Sequence, residues 1–148
     1  MSTTTYCAFG VGDLLVGLPL DDVSEVVSVD WVTPVPGAAA GVLGILNLRG
    51  RILTAIDLRV VLGLEPAAAD SPGLHVIVRA AGEDDDVSIR VDEQRDVRSV
   101  DLQRAVACPS SLDPRVRAVA AGLTPVEDGL LLLLDARRAL SALSRKEN

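Results

Sequence analysis

Residues 41–64 read GVLGILNLRGRILTAIDLRVVLGL: two apolar runs joined at Asn47-Leu48-Arg49-Gly50 and closed by Asp57-Leu58-Arg59. Gly41–Leu48 reads as a glycine-punctuated strand, Arg49-Gly50 as a tight turn and Arg51–Ile56 as the returning strand, because short apolar runs around a glycine turn form hairpins. Gly50 supplies the positive φ that such a turn needs, a steric role independent of any partner. Asp57 is placed to cap a helical turn over Leu58–Leu62, with Gly63 as its C-terminal stop. Arg49 then stands at a hairpin tip with three readings: turn residue, catalytic cation, or docking point for another protein.

The flanking sequence extends the same pattern. Tyr6, Ala8 and Gly10 alternate with Cys7, Phe9 and Val11, Gly12-Asp13 turns the chain, and Leu14–Leu18 returns, a second hairpin. The valine density of Val23–Val29 predicts a strand after a short turn at Asp21. Thr33-Pro34-Val35-Pro36-Gly37 breaks any ladder, since proline has no N–H to donate. After a linker over Glu65–Gly73, a further strand begins at Leu74–Ala80. Gly82–Asp86 makes an acidic hairpin tip, and Val87–Val91 returns with Ser88 and Arg90 on one face and Val87, Ile89 and Val91 on the other. Val97–Leu102, Val116–Gly122 and Leu130–Leu134 are expected as three more strands, followed by a helix from the N-cap Asp135 to Leu143. Strands separated by turns every 8–12 residues, with only short helices, predict an all-β barrel or sandwich. The segments TAIDLRVVL and LLLLDARRAL each run strand, Asp, short helix, which hints at two related subdomains within one domain spanning residues 1–148 and dividing in the 65–73 loop.

Composition narrows the function classes. The chain has 148 residues, 49% of them hydrophobic, and a formal charge of −7, which is globular and a poor match to phosphate neutralisation. With aromatics at 2%, base stacking has little to work with, so nucleic acid is not an expected partner. No apolar run approaches the roughly 18–20 residues that span a bilayer, and the N-terminus lacks a basic n-region, so a cytoplasmic protein is expected. Cys7 and Cys108 lie far apart without CxxC spacing and are read as reduced thiols.

The usual signs of catalysis are missing. His75, the single histidine, sits in LHVIVRA with no Ser, Cys or Asp at motif spacing, and reads as structural or surface rather than as part of a triad. Glu83–Asp86 lack the ligand pattern of a calcium loop, the glycine pairs fall short of GxGxxG, and Cys and His do not cluster as zinc ligands. No catalytic residue, cofactor or metal ligand is therefore expected. Arg49 alone is an anion clamp without a reaction, whereas an arginine at an exposed turn between apolar strands suits a protein interface.

With these residues in view, the run from Gly41 to Leu64 resembles the signature of CheW-type chemotaxis coupling proteins, in which Asn-Leu-Arg-Gly ends one strand and Asp-Leu-Arg follows the next. Tyr6–Asp13, Val23–Val26, Ile89–Asp92 and Leu130–Asp135 resemble other strands of that family, so the likeness extends from about Tyr6 to Leu143. The resemblance implies an all-β fold of two intertwined five-stranded SH3-like barrels with short helices and a shared hydrophobic core. It implies a non-catalytic adaptor that binds the regulatory domain of the CheA-type histidine kinase and the cytoplasmic tip of chemoreceptors (methyl-accepting chemotaxis proteins), meeting the membrane only through those receptors. Carried over by residue, the receptor-facing groove would take in Val23, Glu25, Gly44, Asn47, Arg49 and Ile56. The chain departs from the family pattern at Ser88, where glycine is common, and at Arg90 and His75, where apolar residues are usual. Two other readings stay open at this point: a coupling-type adaptor for a non-chemotaxis kinase pathway such as surface motility or development, and a small β-barrel in which Arg49 recognises an anion.

Overall fold

The computed structural model describes residues 3–29, 31–68, 73–79 and 86–145. In chain order the elements are β1 (Thr3–Val11), β2 (Leu14–Pro19), β3 (Val23–Val29), β4 (Val42–Leu48), β5 (Arg51–Asp57), α1 (Leu58–Val61), β6 (Gly73–Val78) and β7 (Val87–Val91). They continue with β8 (Glu93–Gln94), β9 (Arg98–Asp101), α2 (Pro114–Val119), β10 (Ala120–Val126), β11 (Gly129–Leu134) and α3 (Ala136–Arg145). The strands form two mixed sheets. One has five strands in the order β3-β6-β7-β5-β4; the other has six, in the order β10-β11-β2-β1-β8 with β9 also paired to β1.

The sheets interleave the two halves of the sequence. The five-stranded sheet takes the hairpin β6–β7 from after the 65–73 loop and β3, β4 and β5 from before it; the six-stranded sheet takes the hairpin β1–β2 from before and β8–β11 from after. Within each sheet the wiring repeats. The hairpin β4–β5 runs its second strand parallel to β7, as β10–β11 runs its second strand parallel to β2. Each of those second strands leads into a helix through an aspartate, Asp57 at the end of β5 for α1 and Asp135 just after β11 for α3, whose carboxylates accept from the backbone N–H of Arg59 and Arg138. The strand-Asp-helix repeat seen in the sequence is thus a repeat of architecture.

Strand alternation assigns the side chains to three apolar clusters. Phe9, Val11, Val16, Leu18 and Leu132 of one sheet face Ile56, Val76, Val78, Ile89 and Val91 of the other, and α1, α2 and α3 add Leu58, Leu62, Val116, Val119 and Ala139. The opposite faces gather two smaller clusters, one inside each curled sheet: Tyr6, Ala8, Val100, Leu131 and Leu133 in the first, Leu46, Leu53, Ala55 and Ile77 in the second. Each fully buried aliphatic contributes about 1.5–3 kcal/mol, so the cluster shared between the sheets is the main reason that they stay together.

One expected strand is replaced in part by a helix. Residues 116–119, expected as the start of a Val116–Gly122 strand, fall instead in α2 (Pro114–Val119), and β10 begins only at Ala120. Asp113 accepts from Arg115 N at 2.8 Å, Pro114 occupies the first helical position where its missing N–H costs nothing, and Val116 and Val119 bury one face. The acidic tip expected at 82–86 lies outside the described residues except for Asp86.

Candidate functional site

The turn at Arg49-Gly50 is tighter than the sequence required. Both residues have positive φ, 51° and 85°, the geometry of a two-residue hairpin loop whose twist matches its strands. Asn47 fastens it by accepting from Gly50 N at 3.0 Å through Oδ1. Arg49 therefore holds a left-handed conformation that few non-glycine residues adopt. Its guanidinium is ion-paired with Glu25, and its side chain is 67% exposed. Glu25 belongs to β3 and Arg49 follows β4, the two edge strands of the five-stranded sheet, so this pair links the edges of the curled sheet. Arg51 adds a second cation at the tip and pairs with Asp86 at 2.7 Å.

Of the six residues that resemblance assigned to the groove, the structure brings Glu25, Asn47 and Arg49 together at the surface. Gly44 is buried with φ 145°, and a Cβ there would stand 2.0 Å from the Thr33 carbonyl oxygen. Its role is to let residues 33 and 45 exchange backbone hydrogen bonds of 2.8 and 2.9 Å across a bulge in β4. Ile56 is fully buried in the cluster between the sheets, because β5 lies inside its sheet and packs on both faces at that end; it cannot touch a partner directly. Val23 is half-buried against that same cluster. The sequence reading missed Ile45 and Ile52, which are 38% and 63% exposed. Ile52 is the cross-strand partner of Asn47, and Ile45 lies two residues from Asn47 on the same face. The period-2 alternation of GILNLRGRI contained this signal, since Leu46 and Leu53 point inward. Trp31 and Val35, 75% and 40% exposed, extend the apolar surface on the segment that runs beside Ile45.

A second polar feature lies inside the five-stranded sheet. His75, Ser88 and Arg90, the three departures from the family pattern, sit on the inner face of β6 and β7 with exposures of 2%, 0% and 6%. His75 and Arg90 are cross-strand partners, and His75 Nδ1 lies 2.6 Å from Ser88 Oγ. Burial, reinforced by the Arg90 charge and opposed by Asp57, lowers the His75 pKa to about 4. His75 is therefore a neutral internal histidine at ordinary pH. Ser88 has no exposed surface, so the pair resembles a nucleophile and base in composition but presents no attackable oxygen. Arg90 donates to Asp92 at 3.3 Å, and Asp92 also accepts from Gly12 N at 2.6 Å and Arg59 Nη1 at 2.5 Å. This carboxylate ties the β1–β2 turn, α1 and β7 together where the chain passes between sheets.

Among the described residues there is no group of three or more His, Cys, Asp or Glu side chains arranged to hold a metal ion. Cys7 and Cys108 are separate free thiols, both half-buried. No helix among the described residues is long and apolar enough to cross a membrane.

Residues 5–144 match the CheW-like domain family. The chain is 31% identical over 128 residues to the chemotaxis protein CheW of Rhizobium meliloti, covering 86% of this chain and 81% of the relative. It is 24% identical over 140 residues to the chemotaxis protein CheW of Thermotoga maritima, covering 95% and 89%. Among solved structures, the scaffolding protein TtCheW from Thermoanaerobacter tengcongensis superposes with a TM-score of 0.77 at 25% identity, over 90% of each chain.

Proposed function

The chain belongs to the CheW-like domain family, and from that membership we propose that it is a non-catalytic adaptor coupling the cytoplasmic tip of chemoreceptors to the regulatory domain of a CheA-type histidine kinase. It works in the cytoplasm and reaches the membrane only through the receptor. Family membership and a solved relative that is itself a scaffolding protein support an adaptor role in chemotaxis. The observation that carries the finer reading is the rigid tip around Arg49. A strained, hydrogen-bonded turn and the ion pair to Glu25 fix the guanidinium beside the exposed Ile45 and Ile52.

A helical receptor tip fits such a surface: its apolar face covers the isoleucines, while Arg49 and Glu25 exchange their mutual pairing for charges at the rim and set the register. Pre-organisation matters because the side chains lose less entropy on docking. The test is a calorimetric titration with a receptor-tip fragment and with the kinase regulatory domain. Arg49→Gly removes the guanidinium and accepts φ 51° without the steric cost that any residue with a Cβ, arginine included, bears there. Wild type binding both partners, with receptor affinity falling about ten-fold or more in Arg49→Gly, supports the assignment. Unchanged receptor affinity removes Arg49 from the site, and failure of wild type to bind either partner overturns the coupling role.

A further inference from the structure

The outer face of the β4–β5 hairpin continues onto the segment beside it. Thr33 and Ile45 exchange backbone hydrogen bonds of 2.9 and 2.8 Å, so the chain around Thr33 runs antiparallel alongside β4. Val32 packs inward on the Leu46–Leu53 cluster, which turns its neighbours Trp31 and Thr33 outward, where both are exposed. Continuing the pairing by two residues sets Trp31 beside Asn47, and Asn47 is paired in turn with Ile52. The face is therefore laid out in rows: Trp31, Asn47 and Ile52 form one, Thr33, Ile45 and Thr54 the next, and Arg49 stands beyond the first.

These rows have the width of a helix. At about 4.8 Å between neighbouring strands, the backbones at Trp31 and Ile52 lie about 10 Å apart, and an α-helix with its side chains is about 10–12 Å across. One helix lying along β4 thus meets both residues at once, with Ile45 between and below them. Trp31 and Ile52 are also the two most exposed large apolar residues among those described.

The other sheet shows which of these residues the architecture requires. Its bridge between Val106 and Leu123 matches that between Thr33 and Ile45, so the row Trp31, Asn47, Ile52 corresponds to Arg104, Pro125, Leu130. An aliphatic recurs at 52 and 130, whereas arginine takes the place of Trp31, and the shared frame needs no aromatic there. The chain has only three aromatic side chains. Tyr6 and Phe9 are buried, while the largest is left in water, where it forgoes the burial of about 150–250 Å² that such rings usually contribute.

We propose that Trp31 is the aromatic anchor of the receptor-docking surface. The receptor helix lies along β4 with its apolar stripe held between Trp31 and Ile52, and it presents a carboxylate at the Arg49 end. This assignment rests on the adaptor reading above and adds to it the axis of the bound helix and the residue that carries the most contact.

Trp31 is the only tryptophan in the chain, so its emission reports on this face alone. The experiment titrates the full chain with a tryptophan-free helical fragment of a chemoreceptor tip and follows both emission and heat. The expected result is a blue shift that saturates with the calorimetric binding curve. Trp31→Ala is expected to lower receptor affinity about ten-fold or more without changing the melting temperature, since the ring is exposed. Leu130→Ala, which removes the corresponding aliphatic of the other sheet, is expected to leave receptor affinity unchanged. If the wild type does not bind the receptor tip, the adaptor reading and this assignment fall together. If it binds while the emission stays unshifted, or if Trp31→Ala keeps full affinity, the adaptor reading stands and the Trp31 assignment is overturned. An equal loss in Leu130→Ala overturns it as well.

Discussion

Stability should fall on mild acidification because of one residue. His75 is the only histidine in the chain, and burial holds its pKa near 4 in the folded protein against 6.5 in an unfolded one. Between these values the unfolded chain binds a proton that the folded chain refuses, so acidification favours unfolding. The stabilisation is complete above the unfolded value, declines as pH falls through 6.5 and is gone below about 4, a total of about 3 kcal/mol at 1.36 kcal/mol per pKa unit. Integrated from about pH 7 to about pH 5.5, where side-chain carboxylates remain ionised in both states, the loss is about 1 kcal/mol. Urea unfolding at constant ionic strength measures it as a lower midpoint with an unchanged slope. The control is His75→Val with Ser88→Ala, which removes the titrating ring and the hydroxyl that its loss would strand. This variant should show no comparable decline over the same interval. A flat wild-type profile, or an equal decline in the double variant, refutes the claim that buried neutral His75 carries the pH dependence.

Three other substitutions probe the frame that positions the site. Gly44→Ala forces a Cβ onto the Thr33 carbonyl at a φ of 145°, so it should cost about 2 kcal/mol or more and lower the melting temperature by about 5 °C or more. Asp57→Ala strips a 2%-exposed carboxylate that accepts from both Arg59 N and Ala67 N, each at 3.0 Å, and should cost about 2 kcal/mol by urea unfolding. Asp57→Asn keeps one acceptor oxygen and should recover part of that loss, which separates hydrogen bonding from charge. Gly50→Val meets no neighbour within 4 Å, so its expected cost of about 1–2 kcal/mol comes from the φ of 85° alone, and Gly50→Asn should be milder in the same thermal melt because asparagine tolerates that region.

Much of the fold was legible because its signals are local. Gly50, the Asp57 cap and the hairpins β1–β2 and β4–β5 follow from neighbours in sequence. The pairing of β3 with β6, or of β8 and β9 with β1, does not, since interleaving of the halves joins residues that no local pattern relates. The α2 error has another cause. The Asp113-Pro114 start signal was present, but the valines at 116 and 119 suited a strand equally well, and only their burial on one helical face decides between the two. Of the residues expected in the groove, Arg49 and Asn47 lie at the exposed tip, whereas Ile56 is buried between the sheets. An apolar residue near a motif gives no sign of which sheet face it takes until the neighbouring strands are known.

The internal repeat separates architecture from recognition within a single chain. Positions that match between the sheets do the same structural work twice. Asp57 and Asp135 cap helices, Leu53 and Leu131 fill the barrels, and Gly44 and Gly122 sit at bulges, with a Cβ at either meeting the carbonyl of residue 33 or 106. Positions that differ are unconstrained by the shared frame. The tip Arg49-Gly50 corresponds to Glu127-Asp128, opposite in charge, although both hairpins expose an aliphatic at the same register, Ile52 and Leu130. Each tip is tied to an edge strand of its own sheet by an ion pair, Arg49 with Glu25 on β3 and Asp128 with Arg98 on β9, so the frame calls for a charge pair at the tip and leaves open which partner carries which sign.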